Sequence, residues 1–448
     1  MTRALVVFIL LLSACFKTLT FSTCDGACPP ADAAADQTTV ECTLVPDGGV
    51  SSDCAASHPD QPMCSSDNTC VQCLSNADCQ SVNQSCIQHQ CVACTQNSDC
   101  SSHLCLAPSC AVGSDVVFVD NGRCDSTPDG SYDHPYCDIG PGIAAGKKYV
   151  NVAGSMTEYQ QVALTALATE TFVMGPGSTA VPTARIHGSS IAFSLAVSSA
   201  TQDLSLHLSG LEIEDQGSSN GSGVSCYNGS AQKVSMSLFD CAIHDQVSFG
   251  VESNCQIGIA SSQILTSSVG INTTGGTLSI DRSAINSNTH HAVVVTNTAY
   301  TITNSLFFAN GLSLNNDQAA IKLDAMSTGV IAFNTIVGNG MQDAGGVNCL
   351  GSQTVSDSIV FQNSASSTGT PTTQLSSCGT SNVALGATGT PVFTDPSDYK
   401  LDPAAASNLQ CCIDKVTDVT GIPNTDHDIY GVHRPLGMGY DIGATEVK

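Results

Sequence analysis

The sequence predicts an all-β protein in which a parallel β-helix, a solenoid of short stacked strands, follows a small disulfide-rich module. The main observation is a set of three apolar columns. The first column recurs at steps of 21 to 30 residues: Leu208, Leu238, Ile259, Ile280, Ile302, Ile331 and Val355. The second lies five residues later in each unit: Ile213, Ile243, Ile264, Ile285, Phe307, Ile336 and Val360. The third follows a small residue: Val224, Val251, Ile271, Val293, Ile321 and Val347. Repeats of this length indicate a solenoid, because each unit buries its apolar face only by stacking on its neighbours.

The spacing inside each unit is that of strands rather than helices. Apolar and small residues alternate in Leu278-Ser279-Ile280 and in Ile257-Gly258-Ile259, which is the period of a strand with one buried face. A leucine-rich repeat would show Leu at several fixed positions and a longer helical return, and the sequence has neither. Each unit is therefore predicted to be three short strands joined by tight corners.

One corner carries Asn in a shared register. Each Asn lies three residues after the second column: Asn288, Asn310, Asn339 and Asn363. Asn tolerates the left-handed backbone of a tight corner, and stacked amides can hydrogen bond between coils. A general turn preference would explain each Asn singly but not the common register. We therefore expect an Asn ladder along this corner.

The pattern of these units resembles the right-handed β-helix family that includes pectate lyases and many bacterial surface proteins. The resemblance covers about residues 116–390 and is specific for the fold rather than for an activity. The ending Asp441-Ile442-Gly443-Ala444-Thr445-Glu446 resembles a DIGAxE-type ending of the bacterial members. It implies a C-terminal cap at 391–448, in which Arg434 forms a charged staple with Asp441 or Glu446 that is structural rather than catalytic.

The start of the chain has the layout of a secretory signal. Arg3 precedes an apolar run, residues 4–12, that is too short to span a bilayer. The sequence Leu12-Ser13-Ala14-Cys15 resembles a bacterial lipobox. This implies a signal peptide at 1–14, a lipidated Cys15, a lipid-anchored Ala/Asp/Ser-rich linker at 15–63 and a place on the bacterial cell surface or outer membrane. An ordinary signal peptide and a secreted protein are the alternative.

Cysteine is concentrated near the N-terminus, where 14 of the 24 cysteines lie between Cys24 and Cys110. A segment repeats after a shift of 21 residues, with cysteines that we expect to form disulfides: Cys70, Cys73, Cys79, Cys91, Cys94 and Cys100. An exported chain meets oxidising conditions, although paired CxxC sets could also bind zinc. The prediction is a disulfide-rich module at 64–110, similar to the cysteine-rich repeats of bacterial surface lipoproteins.

We also expect Cys124 and Cys137 to close the first coil of the β-helix at 114–390. Without Cys15, the 23 remaining cysteines leave at least one unpaired in the chain or bonded to a second chain.

Composition limits the partners. The chain has 13 Lys and Arg against 39 Asp and Glu, a net charge of −26, which argues against nucleic acids and acidic polysaccharides. No segment after the signal is long and apolar enough to cross a membrane. We expect no cofactor and no metal. Calcium is the one alternative for so acidic a surface, although the sequence has neither an EF-hand loop nor a glycine-aspartate nonapeptide repeat.

The resemblance to pectate lyases implies an enzyme hypothesis, a polysaccharide lyase or glycoside hydrolase. A lyase needs a basic residue close to acidic residues. The basic residues of the repeats are Arg185, Lys233, Arg282 and Lys322, and we expect none of them to lie beside a carboxylate cluster. A hydrolase needs two carboxylates about 5–10 Å apart. The family's Asp-Asp and Gly-His-Gly signatures are absent, as is Trp. The candidate catalytic residues are four corner aspartates: Asp215, Asp245, Asp317 and Asp343. Asp215 and Asp245 share a register about 5 Å apart, and the alternative is that they are solvated corner residues.

The competing hypothesis is a tethered binding or structural protein, such as an adhesin or spacer, without catalytic activity. Insertions fall at one corner, at 216–222, 311–319 and 340–345. Insertions stacked on one side of a solenoid often form a binding surface, here for an extracellular carbohydrate or protein. Corners also tolerate insertions because the cost of a loop grows slowly with its length. The sequence favours the non-catalytic hypothesis and keeps the enzyme as the alternative.

Overall fold

The computed structural model describes residues 42–43, 50–82, 84–215, 221–311, 319–340, 345–363, 374–385, 390–395 and 399–447. Its main body is a parallel β-helix of three long sheets, and nine successive coils of the described chain, from Tyr149 to Ser376, run through the first, second and third sheet in that order. Three short α-helices, Ser52–Ser57, Ile139–Ala144 and Ala406–Cys411, lie outside the stack of strands. The 3-10 helices are Asn76–Val82, Asn97–Asp99 and Gly113–Asp115. None of the helices that the structure describes is long and apolar enough to cross a membrane.

The first sheet has eleven strands: Val116–Val119, Tyr149–Val152, Glu170–Met174, Leu204–Ser209, Val234–Phe239, Gln256–Ala260, Thr277–Asp281, Ala299–Thr303, Thr328–Ala332, Thr354–Ser356 and Gly379–Ser381. The second has nine: Tyr159–Gln160, Ala184–Gly188, Leu211–Asp215, Ala242–His244, Gln263–Leu265, Ala284–Asn286, Leu306–Phe308, Thr335–Val337 and Ile359–Phe361. The third also has nine: Val162–Leu164, Ile191–Val197, Ser222–Asn228, Phe249–Ser253, Val269–Thr274, Val293–Thr296, Ile321–Leu323, Val347–Cys349 and Leu375–Ser376.

The three apolar columns form the core, one column on each sheet. Ile280 pairs with Ile259 in the preceding coil and with Ile302 in the following one. All members of the first and second columns follow the same register, as do those of the third. Ile280 is 0% exposed. The prediction of a parallel β-helix is therefore confirmed, and so is the register on which it rests.

The corner after the second sheet carries a ladder of buried amides. Asn288 Nδ2 donates to Asn310 Oδ1 at 2.8 Å, and Asn310 Nδ2 donates to Asn339 Oδ1 at 2.9 Å. Asn339 Nδ2 donates to Asn363 Oδ1 at 2.7 Å. The backbone N–H groups of the first three residues also donate to the next side-chain oxygen. Each amide thus satisfies polar groups of two coils, which explains the shared register.

A second ladder lies on the corner after the first sheet. There the backbone N–H of one coil donates to a hydroxyl or amide oxygen of the next, as from Ser262 to Ser283 and from Ser283 to Ser305, each at 3.2 Å. Asn334 and Ser358 continue the row. Cys241 occupies its first position, with its N–H donating to Ser262 Oγ at 3.1 Å. Among the described cysteines it is the one without a disulfide, and burial raises the pKa of its thiol to about 11.

The N-terminal module consists of short hairpins and crossed disulfides. Its two-stranded sheets pair Met63–Cys64 with Cys70–Val71, Ser85–Ile87 with Gln90–Val92, and Cys105–Leu106 with Ser109–Cys110. Three units follow one another, each with its first cysteine bonded to its third and its second to its fourth: Cys42–Cys64 with Cys54–Cys70, Cys73–Cys86 with Cys79–Cys91, and Cys94–Cys105 with Cys100–Cys110. The two cysteines of each CxxC belong to consecutive units, so the structure has disulfides where the zinc alternative needs free thiolates. Leu104 and Ala111 pack on Val116 and Phe118 of the first coil.

Four further disulfides hold the remaining described part of the chain. Cys124 is bonded to Cys137 in the first coil. Two link neighbouring coils at the third sheet: Cys226–Cys255 and Cys349–Cys378. The last joins the adjacent residues Cys411 and Cys412.

The C-terminal segment packs along the corner between the first and second sheets. Its backbone contacts three successive coils: Asn424 O accepts from Asn304 Nδ2 at 2.6 Å, Ala444 N donates to Thr335 Oγ1 at 3.0 Å, and Gly443 N donates to Asp357 O at 3.0 Å.

Arg434 is buried at the centre of this segment, with 1% exposure. Its guanidinium donates to Gly443 O at 2.8 Å, lies 3.8 Å from a carboxylate oxygen of Glu446 and stacks over the ring of Phe333. Asp441 accepts backbone hydrogen bonds from Asp414 and Val447. Arg434 therefore contacts both the C-terminal segment and, through Phe333, the β-helix beneath it.

Candidate functional site

Charged and imidazole side chains collect on the outer face of the second sheet, near its first coils. We call this set the charged patch: Glu158, Arg185, His187, Glu212, Glu214, His244 and Asp245. Alternate residues of a strand point to opposite faces, so the residues that flank a buried column position point outward. Ile186 and Ile213 are such buried positions, in register with each other.

The parallel register brings unlike groups together in the patch. Arg185 lies opposite Glu212, and His187 lies opposite Glu214, which in turn lies opposite His244. In a parallel sheet, outward side chains of the same register position stack directly on one another. At these outward register positions, carboxylates of one coil lie next to basic groups of the neighbouring coil, which avoids a stack of like charges.

Arg185 is the centre of the patch. Its Nη2 lies 3.0 Å from Glu212 Oε1, and its Nη1 lies 3.8 Å from Glu158 Oε1 and 3.9 Å from Glu214 Oε1. The expectation that no basic residue of the repeats lies beside a carboxylate cluster is therefore wrong for Arg185. The three glutamates come from two other coils. The apolar columns give the register of the buried residues only, so they do not show which outward side chains lie next to each other.

Hydrogen bonds hold Glu212 in its ionised form. It accepts from Thr183 Oγ1 at 2.5 Å, and its other oxygen lies 3.1 Å from His244 Nε2. Burial raises the pKa of Glu212, but the hydrogen bonds from Thr183, Arg185 and His244 outweigh it and leave the pKa below its ordinary value. Partial burial likewise lowers the pKa of Arg185, whereas the hydrogen bond to Glu212 and the nearby carboxylates raise it on balance.

His187 and Glu214 make a looser contact. His187 Nδ1 lies 3.5 Å from Glu214 Oε1 and 3.9 Å from Glu158 Oε2. This nitrogen is a buried atom that has no hydrogen-bond partner among the residues that the structure describes. The side chain of Glu214 is only 4% exposed.

A groove of about 280 Å³ adjoins the patch. Glu158, Arg185 and Glu212 line it. Met156 and Val181 also line it, and both are almost fully exposed, at 90% and 94%. The groove therefore offers hydrogen-bonding groups in fixed positions next to apolar side chains that contact solvent.

The sequence-predicted site residues fall partly inside this region. Asp245 belongs to the patch, with its Oδ2 2.8 Å from His244 Nδ1; burial raises its pKa, but hydrogen bonds from His244 and Thr266 lower it overall. Asp215 is the last residue of the strand Leu211–Asp215, whereas Asp245 directly follows the strand Ala242–His244; both lie two positions beyond the buried second column. Asp317 and Asp343 lie outside the described residues, as do most of the corner insertions and Cys15.

Five residues of the patch were not predicted from the sequence: Glu158, His187, Glu212, Glu214 and His244. The signal was present, because Glu212 and Glu214 flank Ile213 of the second column. Aligning the residues on either side of that column across coils would have found the patch.

No protein-family model matches the chain, and no curated protein matches it either. Among solved structures, the chain is similar to a crystal structure of pectate lyase Pel9A, with a TM-score of 0.50 and 13% sequence identity. The match covers 74% of this chain and 96% of that chain. At this identity the likeness concerns the fold alone. The protein is therefore a parallel β-helix protein with a disulfide-rich N-terminal module and a fold similar to that of a pectate lyase.

Proposed function

We propose that the protein is an exported, non-catalytic binding module, anchored to the outer membrane through a lipid on Cys15. The β-helix is its rigid scaffold, and the charged patch with its adjoining groove binds extracellular carbohydrate. Ten disulfides among the described residues support export, because such bonds persist in oxidising compartments.

The observation that carries the proposal is that Arg185 and Glu212, paired at 3.0 Å, are each stabilised in the charged form. A glycosidase acid needs a raised pKa to stay protonated near neutral pH, whereas the pKa of Glu212 is lowered. A base is most effective with a pKa near the working pH, whereas the pKa of Arg185 is raised. Groups held in this state suit recognition of a ligand better than general acid-base catalysis.

The chemistry of the groove favours a carbohydrate. The planar guanidinium of Arg185 and the carboxylate of Glu212 are held together, which presents donors and acceptors to sugar hydroxyls in fixed directions. Exposed Met156 and Val181 offer apolar contact for the C–H face of a ring. Since carboxylates outnumber the one guanidinium, we expect neutral or amino sugars rather than uronates.

A glycan array tests this proposal with the mature full-length protein. We expect binding to neutral or amino-sugar glycans that is lost in Arg185→Met. Arg282→Met is the matched control, because Arg282 pairs with Asp281 on the corner after the first sheet, outside the charged patch, and it should bind as the parent does. Equal binding by Arg185→Met and the parent, or binding to uronates alone, would contradict the proposal.

The alternative is a polysaccharide lyase or glycoside hydrolase. It is favoured by the position of Arg185 within reach of three carboxylates. Assays for unsaturated sugars and for reducing ends, run with the array ligands, distinguish the two functions. Product release that Glu212→Gln abolishes would establish the enzyme, whereas ligand binding without product supports the binding module.

A further inference from the structure

We propose that Glu158, His187 and Glu214 bind one first-row transition-metal dication, for which Zn²⁺ is the best fit. The proposal goes beyond carbohydrate binding and does not depend on it, because a metal titration needs no sugar.

The three ligand atoms already converge. One donor atom from each side chain can be chosen so that all three lie within 4.8 Å of one another. A tetrahedral zinc site with bonds of about 2.1 Å places its ligand atoms about 3.4 Å apart. The 3.5 Å contact between His187 Nδ1 and Glu214 Oε1 already has that separation. Small rotations of the half-exposed Glu158 would complete a three-residue set, with the fourth position open to water.

Two groups of the site are weakly partnered within the described part of the chain. His187 Nδ1 is a buried atom with no hydrogen-bond partner among those residues. The side chain of Glu214 is only 4% exposed, and its ion-pair contacts to His187 and Arg185, at 3.5 and 3.9 Å, are too long for strong hydrogen bonds. A buried carboxylate is stabilised by a closer cationic partner. A dication between these atoms would satisfy both groups.

Arg185 does not occupy the proposed position. Its closest carboxylate is Glu212, at 3.0 Å. The two oxygens of Glu158 face different neighbours, with Oε1 toward Arg185 at 3.8 Å and Oε2 toward His187 at 3.9 Å. The metal would therefore lie on the His187 side of Glu158 and Glu214. With four carboxylates against one guanidinium in the patch, the local charge also attracts a cation.

The donor set selects the kind of metal. Calcium takes six to eight oxygen ligands, whereas this site offers one imidazole nitrogen and two carboxylates. Imidazole with carboxylate suits zinc and its first-row neighbours. Calcium is therefore expected to bind more weakly than Zn²⁺.

Isothermal titration of the chelator-treated mature protein with Zn²⁺ or Ca²⁺ at pH 7.5 tests the proposal. The parent should bind one Zn²⁺ that His187→Ala and Glu214→Gln bind at least about tenfold more weakly. His207→Ala is the matched control, because His207 has a similar exposure and a glutamate neighbour on the first sheet; it should leave this Zn²⁺ unaffected. X-ray absorption of the zinc-loaded parent should show imidazole scattering at about 2.0 Å that His187→Ala lacks.

Several results would overturn the assignment. Unchanged Zn²⁺ affinity in His187→Ala would show that the ion binds elsewhere, and Ca²⁺ binding as tight as Zn²⁺ binding would show that nitrogen is not a ligand. The absence of saturable Zn²⁺ binding by the parent would also refute it. Glu214→Gln keeps the shape of the buried side chain, so it provides a folded variant if His187→Ala unfolds.

Discussion

Replacement of Asn310 by Ala removes the central rung of the Asn ladder. The amide of Asn310 donates to Ile285 O, Phe308 O and Asn339 Oδ1, at 3.0, 3.1 and 2.9 Å. Its oxygen accepts from the backbone N–H and the side-chain Nδ2 of Asn288, at 3.2 and 2.8 Å. All of these groups lie where water has little access, since Asn310 is fully buried.

Five hydrogen bonds are lost in this variant. A typical intramolecular hydrogen bond contributes about 1 kcal/mol net, and a buried partner left unpaired costs about 1–3 kcal/mol. Some of the freed groups keep another partner, as Asn288 Nδ2 does with Ile264 O at 3.5 Å. We therefore expect Asn310→Ala to lower the free energy of unfolding by about 3–5 kcal/mol.

Urea unfolding followed by circular dichroism measures this loss. Asn272→Ala is the control, since Asn272 lies on the outer face of the third sheet and makes no side-chain hydrogen bond to the described residues. It should stay within about 0.5 kcal/mol of the parent. If both variants were equally stable, the ladder would contribute nothing beyond turn formation, and the reasoning would be refuted.

Four further predictions concern single positions. Ile280→Ala should lower the free energy of unfolding by about 2–5 kcal/mol and Ile280→Asp by more, because the charge would be buried without a partner; an Ile280→Asp variant that melts with the parent would show that the register is wrong. Cys241→Ser should stay within about 1 kcal/mol of the parent in urea, because Ser occupies the equivalent ladder position in other coils, whereas a loss as large as that of Ile280→Ala would contradict this role. Burial raises the pKa of Asp441 from 3.8 to about 7, so the folded state favours its protonated form, and the associated stability is full below pH 3.8 and is lost as the pH rises through about 7. Between pH 3.8 and about 7, the free energy of unfolding should therefore fall less in Asp441→Asn than in the parent. The same pH profile in both proteins would contradict this assignment. Mass spectrometry of the mature protein should find an acylated Cys15 at the N-terminus, and an unmodified N-terminus beyond Cys15 would rule out the lipid anchor.

The sequence was sufficient for the architecture of the β-helix because burial repeats in every coil. Ile259, Ile280 and Ile302 must all be apolar to stack in one core, so the pattern survives in the sequence. The second ladder obeys the same logic, since Ser262 and Ser283 each follow the first column by three residues. This ladder does not stand out in the sequence, because Ser is common in the chain and is not restricted to one register.

The charged patch was harder to predict because no single segment contains it. Arg185 and Glu212 are 27 residues apart, and their contact depends on the register of the strands that carry them. That register follows from the buried Ile186 and Ile213. The burial of Glu214 depends on the packing of three successive coils, which no spacing in the sequence expresses.

The sequence predicted the Cys124–Cys137 disulfide but not the connectivity of the N-terminal module. The repeat between residues 70–79 and 91–100 indicated modular units, but four cysteines allow three pairings. The crossed pairing, as in Cys73–Cys86 with Cys79–Cys91, is set by the hairpin that brings Cys86 next to Cys91.

We propose that the charged patch recognises a ligand through the ion pair of Arg185 and Glu212. Isothermal titration of the strongest glycan from the array against the parent, Arg185→Met and the Arg282→Met control tests this claim most directly. The account predicts that Arg185→Met weakens binding by at least about tenfold, or about 1.4 kcal/mol, while the control binds as the parent does. The same Kd for all three proteins would contradict it.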